Sequence, residues 1–108
     1  MLAPAAGSAI KGYLIANIDV RDAATFARYR EQVAPLIARH GGRYLVRGGE
    51  ISVLEGSPSL KRLVVIEFPS LEAARTFYDS EAYRSVLALR LASSSGDVAL
   101  VAGWEPPA

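Results

Sequence analysis

A chain of 108 residues, half of them apolar, is long enough to bury one core and too short for two domains. Twelve basic residues against eleven acidic ones leave a formal charge of +1, without the surplus of cations that a nucleic-acid or anionic-membrane surface needs. There is no cysteine, which excludes disulfides, thiolate metal sites and cysteine nucleophiles, and no apolar run nears the roughly 20 residues that cross a bilayer.

Residues 1–11 carry no charged leader pattern and are broken by Pro4, Gly7 and Ser8, so a loose tail is expected there and a cytoplasmic location by default. Tyr13 to Ile18 is a short apolar run that predicts a first strand. Asp22 is placed to cap a helix whose stripe is Phe26, Tyr29, Val33, Ile37 and His40. Pro35 removes one backbone donor inside it, which predicts a kink near Glu31, and Gly41-Gly42 ends it. Arg43 to Arg47 predicts a second strand, Gly48-Gly49 a bulge or bend, and Ile51 to Leu54 more extended chain before a turn at Gly56 to Ser59.

Leu63 to Phe68 is the strongest strand signal, and Pro69 stops it. Ser70 caps a helix with Leu71, Ala74 and Phe77 or Tyr78 inward. Ser80 starts a further helical segment, its stripe Tyr83, Leu87 and Arg90 or Leu91. Ser93 to Gly96 predicts a loop, Val98 to Ala102 the last strand, and residues 105–108 a frayed tail. The order β-α-β-β-α-β over residues 12–104 predicts one α+β domain: a ferredoxin-like sandwich, with a four-stranded antiparallel sheet and both helical layers on one face.

The strands are apolar on both faces. Tyr13 and Ile15 oppose Leu14, Ala16 and Ile18 in the first strand, Leu63 and Val65 oppose Val64, Ile66 and Phe68 in the third, and Val98 and Leu100 oppose Ala99 and Val101 in the last, yet the helices cover only one side. A symmetric second copy is the simplest cover for the other, so a homodimer is expected.

Glu67 is the oddest residue, a carboxylate between Ile66 and Phe68. It needs a partner or a raised pKa, either as a general base or as half of an ion pair with Arg43, Arg47 or Arg90. Arg47, before two glycines, has the bidentate donors to clamp a carboxylate. Arg90 shares a helix stripe with Tyr83 and points at the sheet or snorkels. Tyr29, Tyr83 and Asn17 offer hydrogen bonds to a pocket between helices and sheet, or simply complete the core. His40, the only histidine, sits where a helix C-terminus favours a cation; alone it makes no two-histidine metal site, though a single axial haem ligand is conceivable. The candidate catalytic set is therefore Glu67, Arg47 and Tyr83, with Arg90, Tyr29, Asn17 and His40 around a ligand. No metal or other cofactor is expected, because the sequence has no phosphate loop, nucleophile elbow or metal motif.

The segments Gly41 to Gly49, Leu54-Glu55-Gly56, Val65 to Ser70 and Tyr78 to Tyr83, followed by Arg90, resemble the bacterial family called domain of unknown function 1330. Ala82 departs from a proline frequent in that family and touches only the helix start. The resemblance implies a dimeric α/β-barrel, an architecture shared with cofactor-free monooxygenases, haem-degrading enzymes, muconolactone isomerases and small stress-related proteins. Two functions follow as expectations. One is a metal-free small-molecule enzyme of the cofactor-independent oxygenase or isomerase type. The alternative is a non-catalytic small-molecule-binding or stress-related dimer whose polar residues are structural.

Overall fold

In the computed structural model, residues 10–107 are described; residues 1–9, most of the tail expected over residues 1–11, and Ala108 lie outside them. Four strands, β1 (Gly12–Val20), β2 (Arg43–Arg47), β3 (Arg62–Phe68) and β4 (Ser94–Ala102), form one sheet in the order β2-β3-β1-β4. Each neighbouring pair is antiparallel. The helices α1 (Ala23–Arg39), α2 (Leu71–Asp79) and α3 (Glu81–Ser93) lie in the two crossovers. This is the expected ferredoxin-like arrangement, with its second helical layer split in two.

The helix ends are set by local chemistry. The side chains of Asp22, Ser70 and Ser80 accept hydrogen bonds from the backbone N–H groups of Thr25, Ala73 and Tyr83. At the end of α1, Gly41 has φ +80°, its N–H reaches the Ala38 carbonyl, and Gly42 N–H reaches that of Ile37. This left-handed closure needs a residue without a Cβ. Pro35 does not interrupt α1, which runs on to Arg39.

Two expectations about local structure fail. No loop separates α3 from β4, because the Ser93 and Ser94 hydroxyls each donate at 2.6 Å to the last carbonyls of the helix, those of Leu89 and Arg90. Ser93 is fully buried, and its own carbonyl accepts from Arg21 and Asp22, which ties the end of β1 to the end of α3. Leu71, read as facing inward, is exposed; of Arg90 and Leu91, the alternatives for the α3 stripe, Arg90 is the buried one, and Val86 takes a further inner position. The bend expected at Gly48-Gly49 forms at Gly48 (φ +72°), and a bulge between Tyr44 and Val46 precedes it. Ile51 to Leu54 belongs to no strand, and Leu54 is almost fully exposed.

The core is one cluster. Leu14, Ala16 and Ile18 of β1 and Ile66 and Phe68 of β3 meet Phe26, Val33, Leu36 and Ile37 of α1 and Ala74, Phe77, Tyr83 and Val86 of α2 and α3. Phe68 and Phe77 stack at 5.3 Å between centroids, and Phe77 meets Tyr83 at 4.7 Å. On the other face of the sheet Ile15, Val46 and Val101 are each more than 40% exposed. A groove of about 380 Å3 runs there between Ile15, Val46, Leu63, Val65 and Ala99.

Candidate functional site

The bulge decides what β2 presents. Arg43 pairs with Glu67 and Tyr44 with Ile66; after the extra residue Leu45, Val46 pairs with Val65 and Arg47 with Val64. Paired residues share a face of the sheet. Arg43 and Val46 therefore stand on the open face, and Tyr44 and Arg47 on the helix face. Unbroken alternation would have put Arg47 beside Arg43.

Arg47 thereby reaches a cavity of about 50 Å3 between sheet and helices. A single water needs roughly 10–15 Å3, so there is room for several waters, while a ring the size of benzene, which takes a cavity of about 150 Å3, would need the cavity to widen toward its mouth. The walls are Leu14, Ala16, Val64, Ile66, Val98 and Phe77, with Phe26 and Ile37 from α1. The polar side chains are Tyr29, Tyr44, Tyr83, Arg30, Arg47, Arg62 and Arg90. Among the described residues, none that lines it is an aspartate, glutamate or histidine.

Three polar groups gather in its interior. The hydroxyls of Tyr29 and Tyr83 are 2.9 Å apart, and Arg90 Nε donates to the Tyr83 hydroxyl at 3.4 Å. Arg90 is only 7% exposed, and among the described residues it has no carboxylate partner. Burial opposes its charge, and the tyrosine oxygens of Tyr83 and Tyr29 reverse that effect, so its pKa is raised. Burial, and then the proximity of Tyr83, pushes the Tyr29 hydroxyl far above the usual tyrosine value. Tyr29 is therefore a hydrogen-bonding hydroxyl and no base near neutral pH. Burial likewise raises Tyr44, with Arg47 opposing.

The mouth is basic. Arg47 lies over the Tyr44 ring at 4.3 Å and Arg62 over that of Phe26 at 5.8 Å. Arg62 packs against the backbone of Gly48, where a Cβ would collide with the guanidinium. Burial, then Arg30 and Arg47, lower its pKa.

Of the residues singled out from the sequence, Arg47, Tyr83, Arg90 and Tyr29 come together here. Glu67 and Asn17 do not. Glu67 lies on the open face, where Arg43 Nε donates to it at 2.9 Å and the Tyr13 hydroxyl at 3.1 Å. The hydrogen bond from Arg43 holds its carboxyl below the usual range, against burial and helped by Tyr13. Of the three arginines weighed for it, Arg43 is the partner, on the far side of the sheet from the cavity. Asn17 also faces away, its amide donating to the Ser59 carbonyl and accepting from Lys61 N–H, both at 2.8 Å. It pins the end of the long β2–β3 connection. His40 Nδ1 is 2.9 Å from the Leu36 carbonyl and its ring meets Phe77 edge-on, so it finishes α1 without lining the cavity. Sequence reasoning missed Arg30 and Arg62. Arg62 was findable: it sits one register step before Val64, on the same face as Ile66.

A family model described as Domain of unknown function (DUF1330) matches residues 11–104, most of the chain. The chain belongs to that family. DUF1330 carries no named activity, and no curated protein matches this sequence. Among solved structures, this DUF1330 chain is similar to a protein of unknown function from Rhodopseudomonas palustris: 18% identity over 90% of this chain and 85% of that one, TM-score 0.74. It is also similar to SnoaB, a cofactor-independent oxygenase from Streptomyces nogalater: 16% identity over 91% and 97%, TM-score 0.62. A third is a dimeric ferredoxin-like protein of unknown function from Thermobifida fusca: 17% identity over 88% and 91%, TM-score 0.58. At these identities the likeness shows a shared fold and nothing about reaction. No helix among the described residues is long and apolar enough to cross a membrane.

Proposed function

We propose that this DUF1330 protein is a metal-free small-molecule enzyme that takes a conjugated enol or phenol into the cavity and stabilises its oxyanion on Arg90 and the Tyr29–Tyr83 pair. The observation that carries this is the buried Arg90 guanidinium, which faces a cavity and lacks a counter-ion among the described residues. A buried, uncompensated charge is costly, and an anionic ligand relieves the cost. The lining provides donors and positive charge but no carboxylate or imidazole to act as a base. Such a site favours a substrate acidic enough to lose its proton to water, and it lowers that substrate's pKa. Ionisation of a conjugated substrate is a step that oxygenation and isomerisation share. The oxygenase named among the structural neighbours adds plausibility to the first of these and decides nothing between them.

The same reading has the protein working as a homodimer in the cytoplasm. Its open, apolar sheet face suits a second copy, and one neighbour of the same fold is described as dimeric.

Ortho-nitrophenol tests the oxyanion site directly, because its phenolate absorbs in the visible. Held below its own pKa, it should gain phenolate absorbance as protein is added, and Tyr83→Phe should weaken that gain. A spectrum indifferent to the protein refutes the proposal.

A further inference from the structure

Outside the cavity, on the α1 side, lies an open basin of about 470 Å3 lined by Ala27, Arg30, Glu31, Ala34, Arg47 and Arg62. Arg30, Arg47 and Arg62 also line the inner cavity, so these three guanidinium groups form the passage between the two spaces. Among the described residues, Glu31 is the only acid at the basin, and neither it nor any other carboxylate makes an ion pair with these arginines. Arg62 Nε is buried and has no hydrogen-bond partner among the described residues. A buried N–H left unsatisfied costs more than the bond it forgoes, so its persistence calls for an explanation. Burial first, and then the repulsion of Arg30 and Arg47, lowers the pKa of Arg62, a second unrelieved cost. Local structure holds them in place nonetheless. The Leu45 bulge turns Arg47 inward, and the bare backbone of Gly48 makes room for Arg62.

We infer that Arg30, Arg47 and Arg62 form a second anion site that clamps a carboxylate on the substrate at the cavity mouth. The inference rests on the reading of the cavity as a ligand site and narrows its substrate class to hydroxy or enol carboxylic acids. The acid's conjugated body lies inside, its ionisable oxygen on Arg90 and Tyr83, and its carboxylate in the passage. Guanidinium groups present forked N–H pairs that match a carboxylate's two oxygens, and a partly desolvated clamp of this kind is stronger than one in open water.

The test compares ortho-nitrophenol with its derivatives carrying a carboxylate para or meta to the hydroxyl, by direct titration of dissociation constants. At least one acid should bind the wild-type protein about tenfold or more tightly than the parent phenol, the worth of one or two charge-assisted hydrogen bonds. Arg62→Gln and Arg47→Gln should each bring that ratio toward one. Arg30→Gln and Arg47→Gln alter exposed residues, so they keep the test open should Arg62→Gln not fold. Circular dichroism checks the fold of each variant. Acids that bind no better than the phenol, or a preference that survives all three substitutions, overturn the clamp while the oxyanion site stands on its own phenolate readout. An acid that binds through these arginines with no phenolate gain keeps the clamp and removes the oxyanion site. Inorganic phosphate serves as a competitor. If it displaces the acid at concentrations below those at which benzoate does, the carboxylate assignment is refuted in favour of phosphate.

Discussion

Replacing Tyr83 by phenylalanine removes one oxygen and almost no volume, so it isolates the interior hydrogen bonds from the packing. In the folded protein that oxygen meets the Tyr29 hydroxyl at 2.9 Å and Arg90 Nε at 3.4 Å, beneath a residue only 3% exposed. The Arg90 contact is long and contributes little, so the cost falls mainly on Tyr29, whose hydroxyl loses its partner. Stranding a buried hydroxyl costs about 1–3 kcal/mol. Tyr29→Phe should cost a similar amount for the mirror-image reason. The double variant strands neither hydroxyl, so its loss should fall short of the summed single losses by about 1 kcal/mol or more. Urea unfolding followed by circular dichroism, with equal slopes across the four proteins, gives each free energy. Additive losses would show that the two hydroxyls do not depend on each other and would refute the picture of a coupled pair.

On the open face, Glu67→Gln should barely move the melting temperature of a monomer, because Arg43 is largely exposed and water screens the pair. Since the folded pKa of Glu67 is depressed, its contribution is present above the ordinary glutamate value and fades as pH falls through the folded value. Stability curves of wild type and Glu67→Gln should therefore converge on the acid side, and a gap that widens with acidification would contradict the pairing. Val65→Lys puts a charge at the middle of the groove beside Ile15. Light scattering should then read one chain mass in place of two, and a variant still dimeric would move the interface elsewhere.

Much of this architecture could be read from residue order. Asp22, Ser70 and Ser80 announce their helices because a short polar side chain satisfies backbone N–H groups that the helix leaves free. The alternation in β1 and β3 assigned their faces correctly. Ser93 to Gly96 misled because serine and glycine usually mark a loop, whereas here two serine hydroxyls bond back to the helix and let the strand begin at once. Asn17 and Glu67 were drawn toward the cavity by their chemistry, although the parity of their strands already placed them on the far side. Arg47 went the other way: parity alone would have removed it, and only a bulge, which leaves no fixed mark in five residues of sequence, restores it. The mouth of the cavity depends on three arginines from α1, β2 and β3, a convergence that no local pattern encodes.

The bulge at Leu45 gives a five-residue strand two allegiances. Its first arginine serves the surface offered to a second copy, and its last serves the cavity. Deleting Leu45 would straighten the strand and keep both duties, because Tyr44 and Val46 already pair with adjacent residues of β3, whereas drawing Leu45 into the ladder would turn Arg47 to the open face. Across relatives of this chain, an arginine at the end of this strand would thus reach the cavity either past a bulge or from a strand one residue shorter.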